Sequence, residues 1–328
     1  MSSVESTAST APDQDYSKDH VNMKLVPFSE RGDLTVRRIF LGLAFVSLLV
    51  MALIMLFLFK EGAGLFIHTD PDQITTSVWK FLFGREWYPT YDPPDFGILP
   101  LILGSVAVTA VSSAMAVPLG VGAALYLGGV ADPKIREWVK PIVELLASLP
   151  SVVLGFVGMV VLAPLLQNWF DMLSGLNIFN ASMMLALMAI PTITSISEDA
   201  LYSVPHEMLE ASYGLGATTW ETMWRVQIPG ALSGIGTAVI LGMSRAMGET
   251  MVVLMVAGGA AQIPSSIFDS VRPMPACIAA EMGETPFGSP HYHALFAIGI
   301  VLFFTTLAFN LIAAYLSHRF QQKGTATL

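Results

Sequence analysis

Arg245 and Glu249 interrupt an otherwise apolar stretch, residues 231–258, and they stand four positions apart. On a continuous helix that spacing puts both side chains on one face, within reach of each other. A charge at the middle of a bilayer costs about 2.5–3.5 kcal/mol on insertion scales, so an ionisable residue there needs a partner or a task. Two chemistries fit the pair. It either neutralises itself and pins helix packing, or it lines an aqueous pathway. In the second case Arg245 is the fixed cation that a passing anion meets, and Glu249 holds it and limits how tightly the anion binds. Moderate binding suits passage, because an ion that enters must also leave. An intramembrane enzyme would need catalytic residues paired at matching depth, and Arg245 with Glu249 makes a poor protease dyad.

Other reactive arrangements are missing or incomplete. No G-x-x-x-x-G-K-[ST] occurs, so the chain has no P-loop of its own. His206-Glu207-Met208-Leu209-Glu210 has the first half of the zinc motif H-E-x-x-H, but Glu210 stands where the second histidine should be. His291 and His293 lack further ligands and read as a loop edge. Cys277 stands alone, which excludes an internal disulfide and suits a buried apolar site. Neither a metal site nor a catalytic residue is expected. Glu144 reads as structural, opening one apolar stretch. Glu198 and Asp199 read as solvated at the end of another, or in contact with a cytoplasmic partner. Gly230 and Gly234 form a lone G-x-x-x-G, a weak signal of helix packing.

The elements that must position these residues follow from composition. Of 328 residues, 54% are hydrophobic and 12% charged, against about 25% charged in a soluble domain. Apolar runs cover residues 39–59, 97–127, 141–166, 181–196, 231–258 and 294–316. The first, as a helix, would be roughly 31 Å long, about the thickness of a hydrocarbon core. The expected fold is all-α: a polytopic transmembrane bundle of about six spans. A polar N-terminal tail (1–38) precedes the membrane domain (39–320), and a short tail (321–328) follows it. Trp79, Trp87, Tyr88 and Tyr91 suit an interfacial loop after the first span. Pro118, Pro150, Pro164 and Pro191 sit in or near the spans and predict kinks. The net charge of −9 argues against a nucleic-acid partner. Lys24, Arg31, Arg37, Arg38, Lys134, Arg136, Lys140, Arg225, Arg319 and Lys323 fall on one side, and only Lys60, Lys80, Arg85 and Arg272 on the other. That bias predicts both termini in the cytoplasm.

Residues 197–230 are then a cytoplasmic segment with unusual order. Pro205 and Glu207 suit a first helical turn, Gly214 and Gly216 break the helix, and Thr218 with Glu221 has the spacing of a capping box. Pro229 is expected to end the second short helix before the fifth span. The product is a helix, a glycine corner and a helix, with Met208, Leu209, Tyr213 and Leu215 as apolar surface. Such a knob fits a groove on another protein.

Glu210-Ala211-Ser212, then Gly216, then Val226-Gln227-Ile228-Pro229 is similar to the EAA loop of ABC importer permeases, whose pattern is EAA, three residues, Gly, nine residues, I-x-L-P. The spacing fits throughout, and Ser212, Val226 and Ile228 are conservative departures. Residues 144–153 and 245–250 resemble phosphate permeases. The run 251–259, Trp87 to Thr90 and His291 to Leu295 resemble the PstC type rather than its PstA-type partner. The resemblance implies a type I importer permease fold in the bacterial inner (plasma) membrane. It implies docking of the EAA loop into a cytoplasmic ATPase dimer, which would carry ATP and Mg, so that this chain binds no cofactor and is not an enzyme. The other implied partners are membrane lipid, a second related permease and an extracytoplasmic phosphate-binding protein. Sulfate, molybdate or another oxyanion is the alternative cargo, and an intramembrane enzyme the rival from another class.

Overall fold

The structure, a computed structural model, describes the backbone of residues 30–67 and 76–325. Residues 1–29 of the expected N-terminal tail, with Lys24, and residues 326–328 of the expected C-terminal tail lie outside the described residues. Two units are distinguished, Met1–Ile54 and Met55–Leu328. The first holds the greater part of α1 (Glu30–Ala63), whose most apolar 18-residue window, within Val36–Ala63, has a mean hydropathy of 2.9. The second begins with the last turns of α1. It continues through α2 (Val78–Phe83), the hairpin β1 (Trp87–Tyr88) and β2 (Asp95–Phe96), α3 (Leu99–Gly129) and α4 (Pro133–Ala147). Then come α5 (Ser151–Val157), α6 (Ala163–Phe170), α7 (Ile178–Tyr202), α8 (His206–Gly214), α9 (Thr219–Thr222) and α10 (Ile228–Met247). The chain closes with α11 (Met251–Val256), α12 (Met274–Glu281) and α13 (Pro290–Thr325).

Two of these helix pairs are single rods. A π turn over Gly158–Leu162 joins α5 to α6, and another over Met223–Gln227 joins α9 to α10. Each π turn stops two residues before a proline, Pro164 or Pro229. A proline ring inside a helix collides with the carbonyl four residues back. Those carbonyls, of Val160 and Arg225, lie inside the π turns, where the wider i→i+5 winding makes room. Six helices among the described residues are therefore long and apolar enough to cross a bilayer: Val36–Ala63, Leu99–Gly129, Ser151–Phe170, Ile178–Tyr202, Thr219–Met247 and Pro290–Tyr315. The shortest, with 20 residues, is about 30 Å long.

The bundle centre is α7, wedged between α3 and α10 through small residues. A Cβ on Gly120 of α3 would meet the Ile193 side chain at 2.9 Å, and one on Gly242 of α10 would meet the same side chain at 2.5 Å. Across the α3–α7 seam, Ser182 donates to the Val108 carbonyl at 3.2 Å and Thr194 to the Gly120 carbonyl at 3.1 Å. Close backbone approach and interhelical hydrogen bonds replace the hydrophobic effect as the adhesive between helices in lipid. At the hairpin end, Trp87, Phe96, Leu101, Met274 and Ile298 form one buried cluster. At the α8 end, Ala124, Leu201, Val204, Ala231 and Ile235 form another.

Six spans match the sequence expectation, but three boundaries move. The expected third span, 141–166, fuses two elements: α4 ends at Ala147, and the span itself is Ser151–Phe170. Pro150 causes the break, because it has no N–H to donate and disfavours helical backbone at Leu149. Glu144 consequently lies on α4 rather than at the start of a span. The fourth span is longer than 181–196 and runs on to Tyr202, which places Glu198 and Asp199 inside a helix. The fifth spans Thr219–Met247 instead of 231–258, so Pro229 sits in the first turn of α10 and does not end a separate helix. His291 and His293 lie in the first turns of α13, not on a loop edge.

Candidate functional site

Arg245 occupies the last turn of α10, and the helix stops at Gly248, whose N–H donates to the Ser244 carbonyl at 3.3 Å. Glu249 follows the break. Its Oε1 accepts from the N–H groups of Met251 at 3.2 Å and Val252 at 3.5 Å, the first residues of α11. The shared helical face and the Arg245–Glu249 pair expected from the spacing are therefore absent; no ion pair joins them among the described residues. The physical reason is local. Glycine costs a helix about 1 kcal/mol relative to alanine, and the unpaired N–H groups at a helix start attract a carboxylate.

The consequence is a cation that no acid neutralises among the described residues. Arg245 is exposed on the isolated chain, and its Nη1 donates to Thr192 Oγ1 of α7 at 3.3 Å. A guanidinium carries five donors in a planar fork suited to oxyanions, and among the described residues this one uses a single, long bond. A helix interrupted within the bundle, with polar groups at the break, is the arrangement by which many transporters hold ions.

The segment after α7 folds as its residues predict. α8 buries none of its side chains, and Gly216 turns the chain with φ +87°, a left-handed conformation that favours glycine. The capping box forms in full: Thr218 Oγ1 accepts from the Glu221 N–H at 3.3 Å, and Glu221 Oε2 accepts from the Thr218 N–H at 3.0 Å. Ser212, one of the departures from the EAA pattern, makes a 2.9 Å hydroxyl–hydroxyl bond to Thr222 that closes the corner. Glu210, Ala211, Gly216 and Pro229 are exposed, while Ser212, Val226 and Ile228 are half-buried. Leu215, at the tip, is 91% exposed, and the Trp220 and Trp224 rings, 5.6 Å apart, are exposed as well. The base of the corner is packed, with Val204 and Leu201 against Ala231 and Ile235 of α10 and Leu209 of α8 against them. An apolar tip on a packed base is suited to transmit force.

A polar cluster at the hairpin end was not visible in the sequence. Glu281 accepts from Trp87 Nε1 at 3.1 Å, contacts His291 Nε2 at 2.8 Å and pairs with Arg272, which also donates to the Gly259 carbonyl at 2.7 Å. These residues come from the hairpin, the loop after α11, α12 and α13, and they line a cleft of about 710 Å³. Burial alone would raise the Glu281 pKa, but hydrogen bonds from His291 and Trp87 and the charge of Arg272 outweigh it and hold the carboxyl below its ordinary value. Hydrogen bonds from the Ser265 side chain and backbone and the Ser266 backbone hold Asp269 low as well. A depressed carboxyl stabilises the fold fully above its unfolded pKa, about 4, and that contribution disappears as pH falls through the folded value. We therefore expect the melting temperature of the purified chain to fall on acidification below about pH 4. Glu281→Gln should lower it at neutral pH and flatten the acid decline; an unchanged acid decline in the variant would refute this role.

Two signals were missed: Glu281, and the burial of Glu198. Glu198 depends on Arg136 and Lys140 of another helix, and Glu281 joins Arg272 and His291 from the flanking segments to Trp87, 194 residues away; neither lies in a motif. Residues 116–322 match the family model of the binding-protein-dependent transport system inner membrane component. The chain is 37% identical over 283 residues to a probable ABC transporter permease protein, YqgH, of Bacillus subtilis, covering 86% of this chain and 90% of that protein. It is 35% identical over 315 residues to the phosphate transport system permease protein PstC of Mesorhizobium japonicum, covering 90% and 95%. Among solved structures it is similar to a chain of a bacterial ABC transporter that imports the acidic polysaccharide alginate. The TM-score is 0.59 at 17% identity, with 88% of this chain and 99% of that chain covered. A chain of the inward-facing MetNI methionine transporter gives a TM-score of 0.53 at 20% identity, over 66% and 93%.

Proposed function

We propose, for a chain that belongs to the binding-protein-dependent transport system inner membrane components, that its cargo is phosphate and that Arg245 lines the path the ion takes. The observation that carries the pathway assignment is the unneutralised guanidinium at the Gly248 break. The cargo is supported by likeness to permeases named for phosphate transport over most of both chains. In this reading a second related permease covers the exposed face of α10 and α7, so the pathway runs between two subunits. Oxyanion specificity is shared with an extracytoplasmic binding protein that delivers the ion.

ATP chemistry belongs to a partner. The α8 corner, with Glu210, Ala211, Ser212 and Gly216 at its core and Val226, Ile228 and Pro229 at its return to α10, docks into an ATPase subunit below it. One ATPase subunit lies beneath each permease, and ATP and Mg bind there. Both termini and the α8 corner lie on the cytoplasmic face. Closure of the ATPase dimer pushes the corner, and its packing on α7 and α10 carries the motion into the bundle.

Uptake of labelled phosphate at low external concentration, in cells with and without this chain, tests the cargo. Loss of uptake without the chain, insensitive to excess unlabelled sulfate or molybdate, is expected. Uptake that sulfate or molybdate suppresses would move the assignment to another oxyanion.

A further inference from the structure

Among the described residues Glu198 is the one charged side chain that is buried, at 1% exposure on α7. Its cations come from another helix: Arg136 Nε lies 3.8 Å away and Lys140 Nζ 3.6 Å away, both on α4. Neither contact is a closed hydrogen bond, and Glu198 Oε1 has no hydrogen-bond partner among the described residues. Charge-assisted hydrogen bonds close at 2.7–2.9 Å, so the clasp stands open by about 1 Å. Arg136 is meanwhile anchored by bonds from Nε at 3.0 Å and Nη2 to the Leu127 carbonyl near the end of α3, and its guanidinium lies 4.7 Å from the Tyr202 ring centroid. Lys140 also reaches Asp199 at 3.9 Å.

A buried carboxylate facing two cations without touching them is a poor device for stability. Desolvation of the charges is costly, and packed apolar residues of similar volume hold helices together as well or better. What this arrangement supplies is direction: it ties α4, and through the Pro150 break span Ser151–Phe170, to the end of α7 that leads into α8. We propose that Glu198 is a positioning residue, the centre of an electrostatic clasp that makes α4 follow the α7–α8 corner. Movement of the corner draws α4 along with it at a fixed separation and pulls the third span with the fourth. The inference rests on the reading of α8 as the ATPase-docking element.

The test uses the assembled importer in liposomes, with this chain, its partner permease, ATPase and binding protein. Glu198→Gln keeps the shape of the side chain and removes its charge. Lys140→Gln, on a partly exposed residue, removes one cation with little risk to folding. Each variant should cut ions transported per ATP hydrolysed at least tenfold, with ATPase binding and hydrolysis within twofold of wild type. A role confined to stability would leave that ratio unchanged. Spin labels on Glu137→Cys of α4 and Glu207→Cys of α8 should keep one separation with and without ATP in the wild type. In Glu198→Gln the separation should change between the two states. Cys277 is buried and stays unlabelled. Unchanged transport per ATP in both variants would overturn the clasp alone, provided that wild-type α8 cross-links to the ATPase. Absence of that cross-link overturns the docking reading and the clasp together.

Discussion

Arg245→Ala is expected to lower the initial rate of phosphate uptake at least a hundredfold without unfolding the chain. The size follows from what the residue offers and what it does not hold. Its single bond to Thr192, at 3.3 Å, adds little to the fold, and no carboxylate within the described residues depends on it. An oxyanion in the pathway would instead accept charge-assisted bonds from the guanidinium fork. Truncating one partner of such a desolvated pair costs about 2–5 kcal/mol, and a hundredfold is about 2.7 kcal/mol at 1.36 kcal/mol per decade. Arg245→Lys keeps the charge and loses the fork, so it should fall between the two, roughly tenfold below wild type. Glu249→Gln weakens the start of α11, where the carboxylate holds the Met251 and Val252 N–H groups. It should therefore lower stability before it alters selectivity. Uptake rates, alongside melting temperature and co-purification with the partner permease, separate these effects. Wild-type uptake by Arg245→Ala would remove the residue from the pathway.

The second large effect belongs to Leu215. At 91% exposure it contributes nothing measurable to the core of the isolated chain, so Leu215→Asp should leave folding intact. In a docked complex the same side chain is the apolar tip of the α8 corner. A carboxylate there would be buried without a partner, which hot-spot positions tolerate badly. Co-purification of the ATPase should fall at least tenfold, and transport with it. Gly216→Val reaches the same outcome by another route, because φ +87° is strained for a β-branched residue. Retained ATPase binding in both variants would place the docking surface elsewhere.

The parts of the fold that were legible in the sequence are those set by local composition. Six apolar runs gave six spans, and Thr218, Glu221, Gly214 and Gly216 gave the helix–corner–helix with its capping box, because caps and glycine turns are decided within a few residues. Boundaries failed where two elements abut. α4 carries Ile142, Leu145 and Leu146 on one side, so its apolar residues merged with the next span, and Pro150 alone marked the join. The Gly248 break was hidden because both flanks are apolar, and the four-residue spacing of Arg245 and Glu249 invited a pairing that holds only on an unbroken helix. Pro229 reads as a stop in the sequence, since nothing local announces a π turn that absorbs it. Glu198 and Glu281 were beyond reach of periodicity altogether. Their partners, Arg136 and Lys140 for one, Trp87, Arg272 and His291 for the other, meet only after the helices pack.

The central claim is that this chain is half of an ATP-driven path for phosphate. Purified chain, partner permease, ATPase and phosphate-loaded binding protein in sealed liposomes test it most directly, with ATP on the ATPase side and labelled phosphate on the other. The account predicts phosphate accumulation that requires ATP, this chain and Arg245, and that excess sulfate or molybdate does not reduce. ATP hydrolysis without phosphate accumulation, while another oxyanion accumulates, would contradict the cargo. Equal accumulation when this chain is omitted would contradict the claim itself.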